Sequence, residues 1–114
     1  MASELRLKKP KDFRNVFRKG RRLSSSYFAL YACKTDLPQP RLGVSISKAH
    51  FKLATRRNRL RRIAREIFRG KITTRPGGHD FVIVSKAACQ SNRMREAIAD
   101  LKKIMQNITG QHDK

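Results

Sequence analysis

The sequence predicts a mixed α/β (α+β) fold with the element order α-β-β-α-β-α. Three short segments have the composition and periodicity of strands. Three longer segments repeat apolar residues every three or four positions, as helices packed on a core do. At 114 residues the chain is long enough for one domain with one core and too short for two.

The first helix is predicted over residues 10–20. Pro10 suits a first helical turn and Gly20 suits a stop. Three apolar residues at i, i+3 and i+4 share one face of this helix: Phe13, Val16 and Phe17.

Three strands are predicted, over residues 26–33, 41–47 and 81–85. The first has bulky residues on both faces, with Phe28, Leu30 and Ala32 on one and Tyr27, Ala29 and Tyr31 on the other. The second alternates cleanly and points Leu42, Val44 and Ile46 to one side. The third, FVIVS, is a continuous apolar run, so we expect it to be buried on both faces.

The last helix is predicted from Ser91 onward, on a stripe that ends at Ile108. Glu96 and Asp100 fall on its polar side, where a solvated face is the ordinary expectation. Residues 1–114 form a single domain in this interpretation, with flexible ends over about 1–8 and 110–114.

Positive charge dominates the composition. The chain carries 28 Lys and Arg against 8 Asp and Glu, a net charge of +20. Between Asp12 and Glu66 the single acid is Asp36. Nucleic-acid phosphates would relieve this repulsion, with counterion release contributing to binding, and an anionic membrane surface would relieve it too.

The charge is densest in a helix predicted over residues 52–69. At 100° per residue its apolar side chains form a core stripe, made of Leu53, Leu60, Ile63, Ala64 and Ile67. An outward ridge lies opposite, made of Asn58, Arg61, Arg62, Arg65 and Arg69. Arg59 flanks the ridge, while Arg56 and Arg57 fall near the apolar side at the start of the helix. Guanidinium groups bind phosphate bidentately, so this ridge favours RNA over a merely solvated face.

These motifs identify a family resemblance. The segment RRNRLRRIARE (56–66), preceded by RLGVSIS and Lys48, resembles the bacterial ribonuclease P protein subunit. DFRNVFRKG, YFALY and DFVIVSKAA are also similar to that family, and the resemblance covers roughly residues 5–108 in order. The family often has a second Lys after Lys48, where this chain has Ala49.

The resemblance implies a two-layer sandwich similar to ribosomal protein S5 domain 2. It implies a four-stranded sheet, so one short strand would lie in the predicted loops. It also implies a left-handed βαβ crossover around the basic helix, where the general rule is right-handed.

The resemblance further implies two RNA-binding surfaces. The basic helix would contact the catalytic RNA, through Arg56, Arg57, Asn58, Arg59, Arg61, Arg62, Arg65, Arg69 and Lys48. A cleft would hold the single-stranded 5′ leader of precursor tRNA, lined by Phe13, Phe17 and Tyr31. From the residues alone, the two Phe would more often be core and Tyr31 an ordinary sheet residue. With the resemblance, we favour an exposed cleft on which unpaired bases stack.

The polypeptide is expected to perform no bond cleavage. Its three His have no metal-ligand spacing, and its eight acids are scattered. The one close pair, Glu96 and Asp100, could in principle share a metal, but a solvated face is the ordinary expectation. We therefore predict no catalytic residue and no metal or cofactor held by the protein alone. Mg²⁺ would be held by the RNA in the holoenzyme. We expect a monomeric, cytoplasmic protein with no membrane partner, because there is no signal peptide and the apolar stripes are needed for the core. A ribosomal or other structural RNA-binding protein is the alternative.

Overall fold

The computed structural model describes residues 6–72, 78–88 and 94–108. The elements in chain order are α1 Pro10–Lys19, β1 Arg21–Ser24, β2 Phe28–Lys34, β3 Arg41–Ser45, α2 Ala54–Ile72, β4 His79–Ser85 and α3 Met94–Met105. The mixed α+β fold predicted from the sequence is confirmed.

The strands form one sheet in the order β1-β2-β4-β3. β2 is antiparallel to both β1 and β4, and β3 runs parallel to β4. Helix α2 is therefore the crossover between two adjacent parallel strands. The left-handedness of this crossover stays a prediction.

The main core lies between one sheet face and the helices α2 and α3. Alternate residues of the strands, such as Leu30, Leu42 and Ile83, face it and are fully buried. Leu60 of α2 and Leu101 of α3 close over them. The predicted inward faces of the strands are confirmed by this packing.

A smaller core lies on the opposite sheet face, beneath α1. Val16 of α1 and Val82 of β4 are fully buried there, with Cys33 and Leu7. Because Ile83 faces α2 and α3 while Val82 faces α1, β4 is buried on both faces, as its continuous apolar run predicts. The sheet thus has helices on both sides.

The residue pattern alone missed β1, so the order α-β-β-α-β-α predicted from it lacks one strand. With four exposed residues, RRLS, this edge strand is too short and too polar to produce a periodic signal. The fourth strand implied by the resemblance is present here.

A second difference from the prediction concerns the acids of α3, which contact the β1–β2 turn. Asp100 of α3, expected on a solvated face, accepts hydrogen bonds from Ser25 Oγ (2.6 Å) and the Tyr27 backbone N–H (2.8 Å). Glu96 accepts one from the Tyr27 hydroxyl (3.3 Å). Both carboxylates therefore hold the hairpin against α3.

The start of α2 and the N-terminal segment also differ from the prediction. Leu53 precedes the helix and is 55% exposed, so its assignment to the core stripe is wrong. Leu7 is buried and its N–H donates to Leu42 O (3.0 Å), while Arg6 forms a β-bridge with Leu42. Arg6 and Leu7, which lie within the end predicted to be flexible, are therefore held against β3. The predicted flexible residues 110–114, and Ser91, lie outside the described residues.

Candidate nucleic-acid interface

The outward face of α2 forms one wall of a basic groove of about 450 Å³. The groove, hereafter the ridge groove, is lined by Arg6, Asn58, Arg61, Arg62, Arg65, Glu66 and Arg69. All five residues predicted for the ridge are therefore brought together. Arg61 Nη1 donates to Asn58 Oδ1 (2.8 Å), which orients one guanidinium along the helix.

Arg65 carries a guanidinium group whose positive charge and buried Nε are not matched by the described protein. Its Nε is buried and has no hydrogen-bond partner among the described residues. Burial, and then the charges of Arg6 and Arg61, lower the pKa of Arg65, although an arginine remains charged at neutral pH. An anion bound in this groove would offset the repulsion between these guanidinium groups.

Arg6 was missed as a site residue by sequence reasoning. It reaches the ridge groove because its segment pairs with the edge strand β3. That contact joins residues 36 positions apart, and no local pattern encodes it. The only available signal was the basic character of RLKKPK itself.

The other predicted members of the helix surface point elsewhere. Arg57 Nη1 donates to Phe51 O and Lys52 O (both 2.9 Å), so it ties the preceding loop to the first turn of α2. Arg56 is half-buried. Arg59 lines a different groove, between α2 and α3.

Lys48 lies in the turn after β3 and is exposed, but it does not line the ridge groove. The turn is held at both ends. Ser85 Oγ accepts from the Ser47 backbone N–H (2.8 Å) and lies 2.8 Å from His50 Nδ1. Lys48 is thus presented on a fixed backbone near the carboxyl end of β3.

The three predicted aromatic residues form a continuous row on the α1 side of the sheet. The Phe17 ring meets Tyr31 edge-on at 4.9 Å and lies 6.4 Å from Phe13. Phe17 is 42% exposed, and Tyr31 is half-buried. The row therefore leaves aromatic surface open to solvent beside a buried core.

Phe13 and Gly43 fit together at the inner end of the row. A Cβ at Gly43 would stand 2.6 Å from Phe13 Cζ, closer than carbon atoms can approach. The absence of a side chain in β3 therefore lets the Phe13 ring lie against the sheet. From the sequence, Phe13 could be a core residue or part of an exposed cleft. The structure combines the two, since Phe13 packs on the smaller core and its ring lies beside the exposed ring of Phe17.

Arg22 completes the other end of the row and was also missed. It pairs with Tyr31 across β1 and β2, so both side chains lie on the same sheet face. Its Nε donates to the Tyr31 hydroxyl (3.1 Å), and its Cζ lies 5.8 Å from the ring centroid. A cation thus stands beside the Tyr31 ring at one end of the aromatic row, an arrangement suited to an unpaired nucleotide.

Carboxylates on the α1 side are engaged with arginine. Arg41 makes a bidentate pair with Asp80 (2.9 and 2.7 Å), and Asp12 lies 3.6 Å from the same guanidinium. The hydrogen bond to Asp80 raises the pKa of Arg41 above its usual value. Across the described parts of the chain, no three His, Cys, Asp or Glu side chains come together as metal ligands. Over the same parts, no helix has the length and apolar character needed to cross a membrane.

A basic α+β sandwich with an arginine groove on one side and an aromatic row beside a cation on the other defines a small RNA-binding protein. Comparison with known proteins identifies the family. The family model for ribonuclease P matches residues 1–109. The chain therefore belongs to the ribonuclease P protein family.

Individual relatives agree with this assignment. The ribonuclease P protein component of Aliivibrio salmonicida is 40% identical over 87 residues, which are 76% of this chain and 74% of that protein. That of Ureaplasma urealyticum is 34% identical over 112 residues, 98% of this chain and 94% of the relative. The solved RNase P protein from Thermotoga maritima has a TM-score of 0.68 at 29% identity, covering 90% of this chain and 96% of that one.

Family membership places the chain in a ribonucleoprotein that processes tRNA. It acts there with an RNA subunit and a tRNA substrate. The alternative of a ribosomal scaffold protein is not supported by these matches.

Proposed function

We propose that this chain is the non-catalytic subunit of ribonuclease P, which binds the catalytic RNA and the 5′ leader of precursor tRNA while the RNA performs the cleavage. The observation that carries the proposal is the pair of different surfaces on opposite faces of one sheet. A protein that only neutralised phosphate would need the ridge groove but not an exposed aromatic row.

The ridge groove is proposed to bind the catalytic RNA. Its arginines come from one helix and from Arg6, and the buried Arg65 Nε has no partner in the described protein. A helix that presents guanidinium groups at i, i+3 and i+4 can contact successive phosphates along one strand. Arg56, Arg57, Arg59 and Lys48 flank this surface, and their contacts with RNA remain predictions.

The aromatic row is proposed to bind the single-stranded leader. Phe17 and Tyr31 offer ring surface on which bases of any sequence can stack, and Arg22 stands where a backbone phosphate would pass. Stacking on a ring does not depend on the identity of the base, so we expect this surface to tolerate many leader sequences. Phe13 supports the row from beneath.

The catalytic Mg²⁺ ions are proposed to be held by the RNA. The one close pair of acids in the sequence has a structural task instead, since Asp100 and Glu96 bind the β1–β2 hairpin. When bound, Mg²⁺ supplies charge stabilisation and an activated water for phosphodiester hydrolysis. The protein contributes positive charge and position.

The test uses protein freed of RNA by purification under denaturing conditions and refolding. It is incubated with precursor tRNA and Mg²⁺, and the catalytic RNA is then added. We expect no 5′ cleavage before the addition and multiple turnovers after it. Mg²⁺-dependent cleavage at the mature 5′ end by the RNA-free protein would overturn the proposal. The monomeric state and the cytoplasmic location remain predictions.

A further inference from the structure

A second basic groove lies between α2 and α3, away from both surfaces described above. Its volume is about 450 Å³, and its lining is Arg59 from α2 with Arg95, Ile98, Ala99 and Lys102 from α3. This surface, hereafter the α2–α3 groove, shares no lining residue with the ridge groove. At about 100° per residue, Arg59 points roughly a quarter-turn away from Asn58, the adjacent member of the ridge.

The cations of the α2–α3 groove are arranged as a line with an apolar floor. Arg95 and Lys102 are seven residues apart, so they lie on one side of α3 with about 10 Å of helix rise between them. Ile98 and Ala99 lie between them and form the floor. Arg59 faces this line from the neighbouring helix.

The acids of α3 are turned away from this groove. Asp100 is bound to Ser25 and Tyr27 in the β1–β2 turn, and Glu96 accepts from the Tyr27 hydroxyl. Helix α3 therefore separates its charges, with carboxylates towards the hairpin and cations towards α2. Within residues 6–72, 78–88 and 94–108, no carboxylate forms an ion pair with Arg59, Arg95 or Lys102.

We propose that the α2–α3 groove is a second RNA-binding site, which takes the phosphate backbone of an RNA segment separate from the one in the ridge groove. Phosphates would lie against Arg59, Arg95 and Lys102, and a sugar edge would cover Ile98 and Ala99. A polyanion suits three cations from two rigid helices, since it can contact all three at once without ordering a mobile loop. This inference rests on the proposed function only in taking RNA as the partner.

The two grooves together divide the α2 surface. Asn58 belongs to the ridge groove and Arg59 to the α2–α3 groove, although they are adjacent in sequence. An RNA bound at both grooves would contact α2 on two sides.

The test compares two double variants by the salt dependence of binding. Arg95→Gln/Lys102→Gln removes two cations of the α2–α3 groove, and Arg62→Ala/Arg65→Ala removes two of the ridge groove. The control, Lys34→Gln/Lys103→Gln, removes two exposed cations that line neither groove. Binding is measured separately with the catalytic RNA and with precursor tRNA, which distinguishes the two possible sources of the phosphates.

We expect the α2–α3 variant to reduce the log–log salt slope by roughly 0.7–0.9 for each lost phosphate contact, with one of the two RNAs. The control should leave the slope unchanged. Where both groove variants act on the same RNA, combining them should add their effects. Unchanged affinity and slope with both RNAs would overturn this proposal. Failure of the ridge variant alone would instead count against the proposed function of the ridge groove.

Discussion

Replacing Phe17 by Ala should separate leader binding from folding. Phe17 is 42% exposed and touches Tyr31 edge-on, so its removal loses only part of a buried ring. Full burial of a Phe side chain contributes about 1.5–3 kcal/mol, and we therefore expect Phe17→Ala to lower the free energy of unfolding by roughly 1–2 kcal/mol. The fold should survive this loss.

The same substitution should weaken binding of the leader. Stacking of one base on an aromatic ring contributes about 1–3 kcal/mol, which corresponds to a loss of roughly 5–150-fold in affinity. The loss applies only to substrates that have a leader. The assay compares the reconstituted holoenzyme's affinity for precursor tRNA with its affinity for the same tRNA without the leader.

Val16→Ala is the matched control, since it changes the adjacent residue of the same helix. Val16 is fully buried in the smaller core, so losing two methyl groups should cost roughly 2 kcal/mol of stability, close to the cost at Phe17. It should leave the ratio of the two affinities unchanged. If a folded Phe17→Ala protein kept the same ratio of affinities for precursor tRNA and leaderless tRNA, the role assigned to the aromatic row would be refuted.

Two further predictions concern arginines with opposite roles. Arg65→Met removes a buried Nε that has no partner among the described residues, together with the repulsion from Arg6 and Arg61. Thermal melting of the free protein should therefore show unchanged or higher stability, while affinity for the catalytic RNA falls. A large drop in melting temperature would contradict this. Arg41→Met leaves the buried Asp80 without its cation and should lower the free energy of unfolding, measured in urea, by about 3–5 kcal/mol. Adding Asp80→Leu should recover most of this loss. A loss below about 1 kcal/mol would mean that the pair contributes little to stability.

Most of the fold could be predicted from the sequence because its cores are encoded locally. Alternation in β2 and β3 and the apolar run of β4 are confirmed, since β2 and β4 sort their side chains between two cores and β3 turns Leu42 and Val44 to the main core. Two errors in the sequence prediction, at β1 and Leu53, arise where the local pattern is weak. Four exposed residues encode β1, and Leu53 lies just before a helix whose start no capping residue marks.

The site was predictable where it lies on one helix and unpredictable where it depends on long-range contacts. The spacing of the ridge arginines is a property of α2 alone, so periodicity was sufficient. Arg6 enters through a bridge to β3, and Arg22 through its cross-strand partner Tyr31. Both contacts join segments whose pairing depends on the folded sheet, and periodicity carries no information about it.

The triplet Arg57-Asn58-Arg59 shows why the charge on α2 is better explained by binding than by folding. Successive helical residues point about 100° apart, so the three side chains have three different surroundings. Arg57 bonds the loop before the helix, Asn58 bonds Arg61 in the ridge groove, and Arg59 faces α3. The first of these stabilises the protein itself. In the ridge groove, by contrast, Arg65 is desolvated and repelled by its neighbours without a hydrogen-bond partner for Nε in the described structure, which is a cost to the free protein. The proposed binding of RNA phosphate in the ridge groove would offset the repulsion between these guanidinium groups.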